Sequence, residues 1–353
     1  MELDNYLREI EEKFGYSKDM MDFLRESIPA IIQYYGIEKK ELIFECFRNV
    51  EIHIEGKNEN RGDYLNERFG INKKWDTPPL ANASCDIQIV KNGKEIDKKM
   101  VIYCIRHYFG DYKPFDYNLD KNKATLCHEM CHAVKAFGRE IEIEDNGNIL
   151  LYDGLMVEEF KYNENDGLYE MVDEKNVGIE ESLNSLDEAQ IMQIMTGKEW
   201  EDPGYKATIP VAKKIMSFPE LAKAIRTSQF ENPSIWIQQM GKSESENLIR
   251  GFDDWILPMQ ASISELLNRF EEIKKQQKDG ISRINHVIEG YEEKRKNESI
   301  DKKHLDKETE IMIALNQLDS KNQYMELLEG EIARHEMPFD KKYIEDVEKN
   351  SGR

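Results

Sequence analysis

The residues best able to do chemistry are two histidines and a glutamate in one short run, His128-Glu129-Met130-Cys131-His132. On a helix, a spacing of four puts both imidazoles on one face, where they can bind a single ion together. Glu129 projects beside them. It is poorly placed to ligate the same ion but within reach of water on the metal, which is where a general base must sit. The pattern points to metal-assisted hydrolysis with zinc, which in catalytic sites takes three protein ligands and keeps a fourth position open. No third histidine follows at close range, the next being His286. The third ligand is therefore expected to be a carboxylate on a second helix. Gly178-Ile179-Glu180-Glu181-Ser182-Leu183-Asn184 offers it, and leaves Glu180 and Glu181 as the alternatives. In that helix Leu183, Leu186, Ile194 and Met195 supply a core side, while Glu181, Asn184, Ser185 and Glu188 line an adjacent face.

The blander readings are specific too. His128 and His132 can be ordinary residues of an amphipathic helix, and Glu181 one surface carboxylate among many. Cys127 and Cys131 also stand four apart, but on a face rotated about 100° from the histidines, which suits small buried residues better than a structural zinc site. His53, His286, His304 and His335 have no partner at ligand spacing.

The elements that must position the motif follow from periodicity. Leu3, Leu7, Ile10 and Phe14 recur at helical spacing, and a second helix starts at Ser17 and runs toward Gly36. From Glu41 the pattern becomes strand-like: LIFECF, VEIHIEG, then CDIQIV joined through KNGK to KMVIYCIRHY, with Asn92-Gly93 as the hairpin turn. Between them, NENRGDYLNERFG and WDTPP read as loop with a short helix. The motif helix, TLCHEMCHAVKAF, is closed by Gly138. IEIE, ILLYDGLMVEEF and LYEMV read as a β-meander of two or three strands, and IEESLNSLDEAQIMQIM as a helix closed by Gly197. Beyond Pro203 the chain reads as helical. Ile263, Leu266, Leu267, Phe270 and Ile273 form one apolar stripe, Ile281, Ile284, Ile288 and Tyr291 another, and the pattern repeats from Leu305 to Ile332.

With both motifs placed, the sequence resembles the glutamate zincins (gluzincins), metallopeptidases whose HExxH helix is followed by a helix carrying a ligand Glu in a Gly-x-x-Glu-small setting. HEMCH at 128–132 and GIEESLNS at 178–185 carry the resemblance, which spans roughly residues 40 to 250 in order of elements. It implies one zinc held by His128, His132 and Glu181, with Glu180 as the alternative ligand. It also implies Glu129 as the base that takes a proton from water attacking a peptide carbonyl and passes it to the leaving amine. An oxyanion donor is expected from Tyr205 or, second, His107. KMVIYCIRHY would resemble the edge strand along which zincins lay an extended peptide. Thermolysin-like members place an Asp four residues after the ligand Glu; here that position is Ser185, so orientation of a histidine must fall to Asn184, Glu188 or a residue from elsewhere.

Composition bounds the rest. With 353 residues, 39% of them hydrophobic and 10% aromatic, the chain can bury a large core. A formal charge of −21 disfavours nucleic acid and anionic lipid as partners and is compatible with a cationic substrate; the resemblance implies a peptide or protein substrate. The start MELDNYLREIEEKFG lacks the pattern of a signal peptide, and five cysteines lack framework spacing. A cytoplasmic protein is expected, or one exported without a leader. The expected fold is α+β: N-terminal helices over 1–36, a zincin-like metallopeptidase domain over 37–255 built from a mixed sheet and the two ligand helices, and a helical C-terminal region over 256–353. The alternative is an inactive zincin-like scaffold acting as a protein-binding or regulatory module.

Overall fold

The computed structural model describes residues 2–75, 82–92, 95–108, 111–165, 167–201, 203–232, 234–257 and 269–296, and these form a mixed α+β architecture. The chain opens with three helices, α1 (Glu2–Phe14), α2 (Lys18–Tyr35) and α3 (Lys40–Asn49). Ser17 caps α2, its hydroxyl accepting from the Met20 N–H at 3.3 Å. The helices over 1–36 share one core with the HEMCH helix: Tyr6, Leu7, Ile10, Phe23, Leu24 and Ile28 cluster with Leu126, Cys127, Met130 and Cys131.

One sequence expectation fails at α3. LIFECF is helical rather than extended, because Ile43, Phe44, Cys46 and Phe47 are the buried residues. Positions i, i+1, i+3 and i+4 share one side of a helix, whereas a strand would send them to opposite faces. A short apolar run does not by itself separate the two periods.

β1 (Glu51–Ile54), β2 (Ala83–Asn92) and β3 (Glu95–Cys104) form a mixed sheet in the order β1-β3-β2, with β1 parallel and β2 antiparallel to β3. The β2–β3 ladder runs down to Asn92↔Glu95, so the two strands form the expected hairpin; Gly93 of the expected turn lies outside the described residues. The strand KMVIYC is therefore central rather than an edge. A strand hydrogen-bonded on both sides has no free main-chain groups to offer a peptide. The outer antiparallel strand beside the motif helix is β2. α4 (Arg61–Phe69), capped by Asn60, lies between β1 and β2 in the chain, and the two-residue strands β4 (His107–Tyr108) and β5 (Asp111–Tyr112) follow β3.

α5 (Asp120–Phe137) carries HEMCH and packs against β2, β3 and the next helix. Its last carbonyls would be orphaned at a buried helix end. The Lys98 ammonium of β3 donates to them, at 2.6 Å to Ala136 O and 3.2 Å to Phe137 O. The meander follows with four strands where two or three are expected: β6 (Glu142–Ile143), β7 (Ile149–Asp153), β8 (Met156–Asn163) and β9 (Leu168–Lys175), antiparallel and in order. It packs onto β2 through Ile89, Ile149, Leu151, Phe160 and Tyr169.

α6 (Val177–Thr196) ends at Gly197, whose φ of 71° is the left-handed cap that glycine favours. It lies between two cores. Ile191 and Met192 join the N-terminal cluster, while Ile179, Leu183 and Leu186 join a second built from α7 (Ile209–Met216), α8 (Pro219–Phe230), α9 (Ile235–Met240), α10 (Lys242–Ile256) and α11 (Phe270–Lys296). Ile281, Ile284 and Ile288 of the expected stripes are buried there, and Ile273 is buried as well. Ile263, Leu266, Leu267 and the segment 305–332 lie outside the described residues. Among the described residues, no helix is long and apolar enough to cross a membrane.

Candidate metal centre

His128 and His132 stand one turn apart on α5, with ring centroids 5.1 Å apart and only 8% and 4% of each residue exposed. α6 crosses the same face and brings Glu181 between them. One Glu181 oxygen lies 3.1 Å from His128 Nε2 and 3.7 Å from His132 Nε2. One atom from each of the three residues can be chosen so that all lie within 4.8 Å of one another, and this is the one such group of metal-ligating side chains among the described residues.

The other nitrogen of each ring is already engaged. His128 Nδ1 pairs with Glu188 Oε2 at 3.1 Å, and His132 Nδ1 pairs with Asp153 Oδ2 at 2.8 Å. A carboxylate holding Nδ1–H fixes the ring and leaves the Nε2 lone pair pointing forward, which is how metal-ligating histidines are oriented. Glu188 is itself anchored, accepting also from Trp200 Nε1 at 3.0 Å and from Gly204 N at 3.1 Å.

Ser185, which occupies the place of the thermolysin-type Asp, instead accepts from Tyr205 N at 3.1 Å. Glu188 was on the short list of orienting residues; Asp153 was not. It had a readable signal nonetheless. In the strand Ile149-Leu150-Leu151-Tyr152-Asp153, the period of two puts Asp153 on the same inward face as Ile149 and Leu151. A carboxylate on a core-facing position needs a buried partner.

The electrostatics of the centre call for a cation. Burial works against the charged forms of both imidazoles, yet the carboxylates outweigh it: Glu181 and Glu188 hold His128 up at about 9, and Asp153 and Glu181 hold His132 well above its ordinary 6.5. Burial likewise opposes ionisation of Glu181, and the two imidazoles overcome it and depress its carboxyl. The carboxylates thus favour positive charge between them, from ring protons or from a divalent ion alike. Two neutralisable imidazoles and a carboxylate, with Nδ1 braced, fit zinc by donor type.

Glu129 is half-buried beside the pair. Burial raises its carboxyl above the ordinary range, and His128 and His132 pull it back. Cys85 and Asp86 of β2 lie near enough to interact with it or with its charge, so the outer strand runs past the base.

Glu180 turns away from the centre and is fully engaged. It pairs with the Lys135 ammonium, accepts from Leu155 N at 2.7 Å and takes the Gln229 amide at 3.1 Å on each oxygen. That excludes it as the third ligand in this arrangement. It has a positioning part instead. Gly154, at φ 61°, lets the β7–β8 turn close on Glu180; a Cβ there would sit 2.4 Å from the Glu180 carboxyl carbon. The turn so pinned begins at Asp153. Asn184 completes the clamp, accepting from Lys135 at 2.7 Å and donating to the His128 carbonyl at 2.8 Å.

Of the two expected oxyanion donors, the structure brings one near. The Tyr205 ring lies 6.3 Å from that of His128. His107 is committed elsewhere, with Nδ1 3.1 Å from Glu55 and Nε2 3.0 Å from Lys57 O. Both its nitrogens are used, because the chain turns after β3 and carries β4 to the Glu55 side of the sheet.

No known family, curated protein or solved structure matches the chain. The resemblance to gluzincins therefore rests on the two sequence motifs alone.

Proposed function

We propose that the chain is a zinc-dependent peptidase with a zincin-like centre. One observation carries the reading: both histidine Nε2 atoms converge on a single Glu181 oxygen while Asp153 and Glu188 hold the two Nδ1 atoms. His128, His132 and Glu181 would hold the ion. Zinc, when bound, supplies charge that polarises a carbonyl and acidifies water.

The protein's own groups do the remaining work. Glu129 accepts a proton from the attacking water and returns it to the leaving amine; the burial that raises its carboxyl brings it nearer to the proton affinity such a shuttle needs. The Tyr205 hydroxyl is the donor for charge that develops on the carbonyl oxygen. β2, the outer strand past Glu129, offers main-chain groups around Ala83–Asp86 to an extended peptide, as strand addition requires.

Glu129→Gln tests this directly. The variant is expected to keep stoichiometric zinc and to lose cleavage of a denatured protein substrate such as casein. Cleavage undiminished in the zinc-loaded variant would remove Glu129 from its role.

A further inference from the structure

The inward face of the meander changes character along its length. At one end Ile149, Leu151, Phe160 and Tyr169 pack on β2. Toward the histidines the same face carries carboxylates: Asp153 closes β7, and Glu158 of β8, opposite Leu151, stands in register with Glu174 of β9. Asp153 is accounted for on one side by His132. Glu158 is not accounted for at all.

Its Oε2 is shielded from solvent and has no hydrogen-bond partner, and the same is true of Asp153 Oδ1, in a side chain 3% exposed. The charged groups around Glu158 are Asp153, Glu174, His132 and Asp86, three of them acidic. Burial first, then these like charges, push its carboxyl up to about 8. A half-buried carboxyl with one shielded, unpartnered oxygen among other acids is held in its protonated form, and an incoming cation can take the proton's place. The pair does not extend to a second metal site, because the one three-ligand group among the described residues is His128, His132 and Glu181. A single organic cation suits it better: two carboxylates across one strand pair can take one ammonium or guanidinium. Met171, in register with Phe160 on this face and 47% exposed, supplies apolar surface for an aliphatic stem.

We propose that Glu158, with Glu174 beside it, forms a specificity subsite for a lysine or arginine side chain of the peptide substrate; this rests on the peptidase reading above. The site selects a basic residue at one fixed position relative to the cleaved bond.

The test uses the zinc-loaded full chain. Casein fragments identified by mass spectrometry give the residues flanking each cut, and paired synthetic peptides then carry lysine or norleucine at the enriched position. Lysine is expected to be favoured in kcat/KM by about 30-fold, the loss that follows from unpairing one buried charge. That ratio should fall toward unity in Glu158→Gln and by a smaller factor in Glu174→Gln, whose exposed position keeps it informative should the first variant fold poorly. Cleavage with no basic residue enriched, or a ratio unchanged in both variants, overturns the subsite and leaves the peptidase standing. No cleavage by the zinc-loaded wild-type chain overturns the peptidase, and the subsite with it.

Discussion

Two buried charge clusters lie on the same pair of helices, and they are built on opposite principles. Behind the centre, Lys135 and Arg226 face Glu180 and Asp187: two permanent cations against two carboxylates, all but Arg226 wholly buried. Tyr34 and Tyr35 donate to Asp187 at 2.7 and 2.8 Å, and Asn184 and Gln229 take up remaining positions. In front, Glu129, Asp153, Glu181 and Glu188 surround two imidazoles, and the ion-pair partners of Asp153, Glu181 and Glu188 are those imidazoles. The rear cluster balances its charge with fixed cations. The front one holds no fixed cation, and only ring protons or an ion offset its charge. Balanced buried charge holds elements in register; unbalanced buried charge is a binding site.

Breaking the balance behind the centre should have the largest effect. Lys135→Met leaves Glu180 and Asp187 buried with a single cation, and denaturant unfolding of the metal-free chain is expected to show a loss of about 3–5 kcal/mol. The matching change in front, Glu181→Gln, also removes an ion-pair partner, but the two imidazoles can give up their protons where Lys135 cannot, so the loss of metal-free stability should be clearly smaller. Equal losses in both variants would erase the distinction between the clusters.

This division explains what the sequence made legible. HEMCH and GIEES are local patterns, and spacing alone places their side chains on faces. The rear cluster joins residues 34, 135, 187 and 226, and nothing in local periodicity links them. α6 shows the limit most plainly. Its periodicity gives one core side with Glu181, Asn184, Ser185 and Glu188 on an adjacent face, yet Glu180, Asn184, Ser185, Asp187 and Glu188 are all buried, because a core lies on each side of the helix. LIFECF failed for the opposite reason, since six apolar residues fit either period until the packing partner is known. The meander and the β2–β3 hairpin were readable because Gly- and Asn-rich turns punctuate them; the order β1-β3-β2 was not, because a parallel crossover leaves no local mark.

A smaller effect sharpens the front of the comparison. Asp153→Asn and Glu188→Gln keep shape but weaken the brace on each Nδ1, and competition against a chelator should show zinc affinity lower by about 10- to 100-fold. Full affinity in both variants would make these carboxylates bystanders. The smallest effect is in pH. Burial acts to raise the Asp187 carboxyl, but Arg226 and Lys135 outweigh it and leave it below its ordinary 3.8. A depressed acid contributes its stability above the unfolded value and loses it as pH falls through the folded one. Metal-free stability should therefore decline below about pH 4 with a slope that Asp187→Asn reduces. An identical acid slope in the variant would show that the rear cluster does not titrate as described.

The central claim is that the front cluster is completed by an ion. Elemental analysis of the purified full chain, dialysed at neutral pH after exposure to zinc, tests it most directly. One zinc per chain is expected, and none in His132→Ala or Glu181→Ala. A folded wild-type chain that retains no zinc, or variants that retain it in full, would contradict the account.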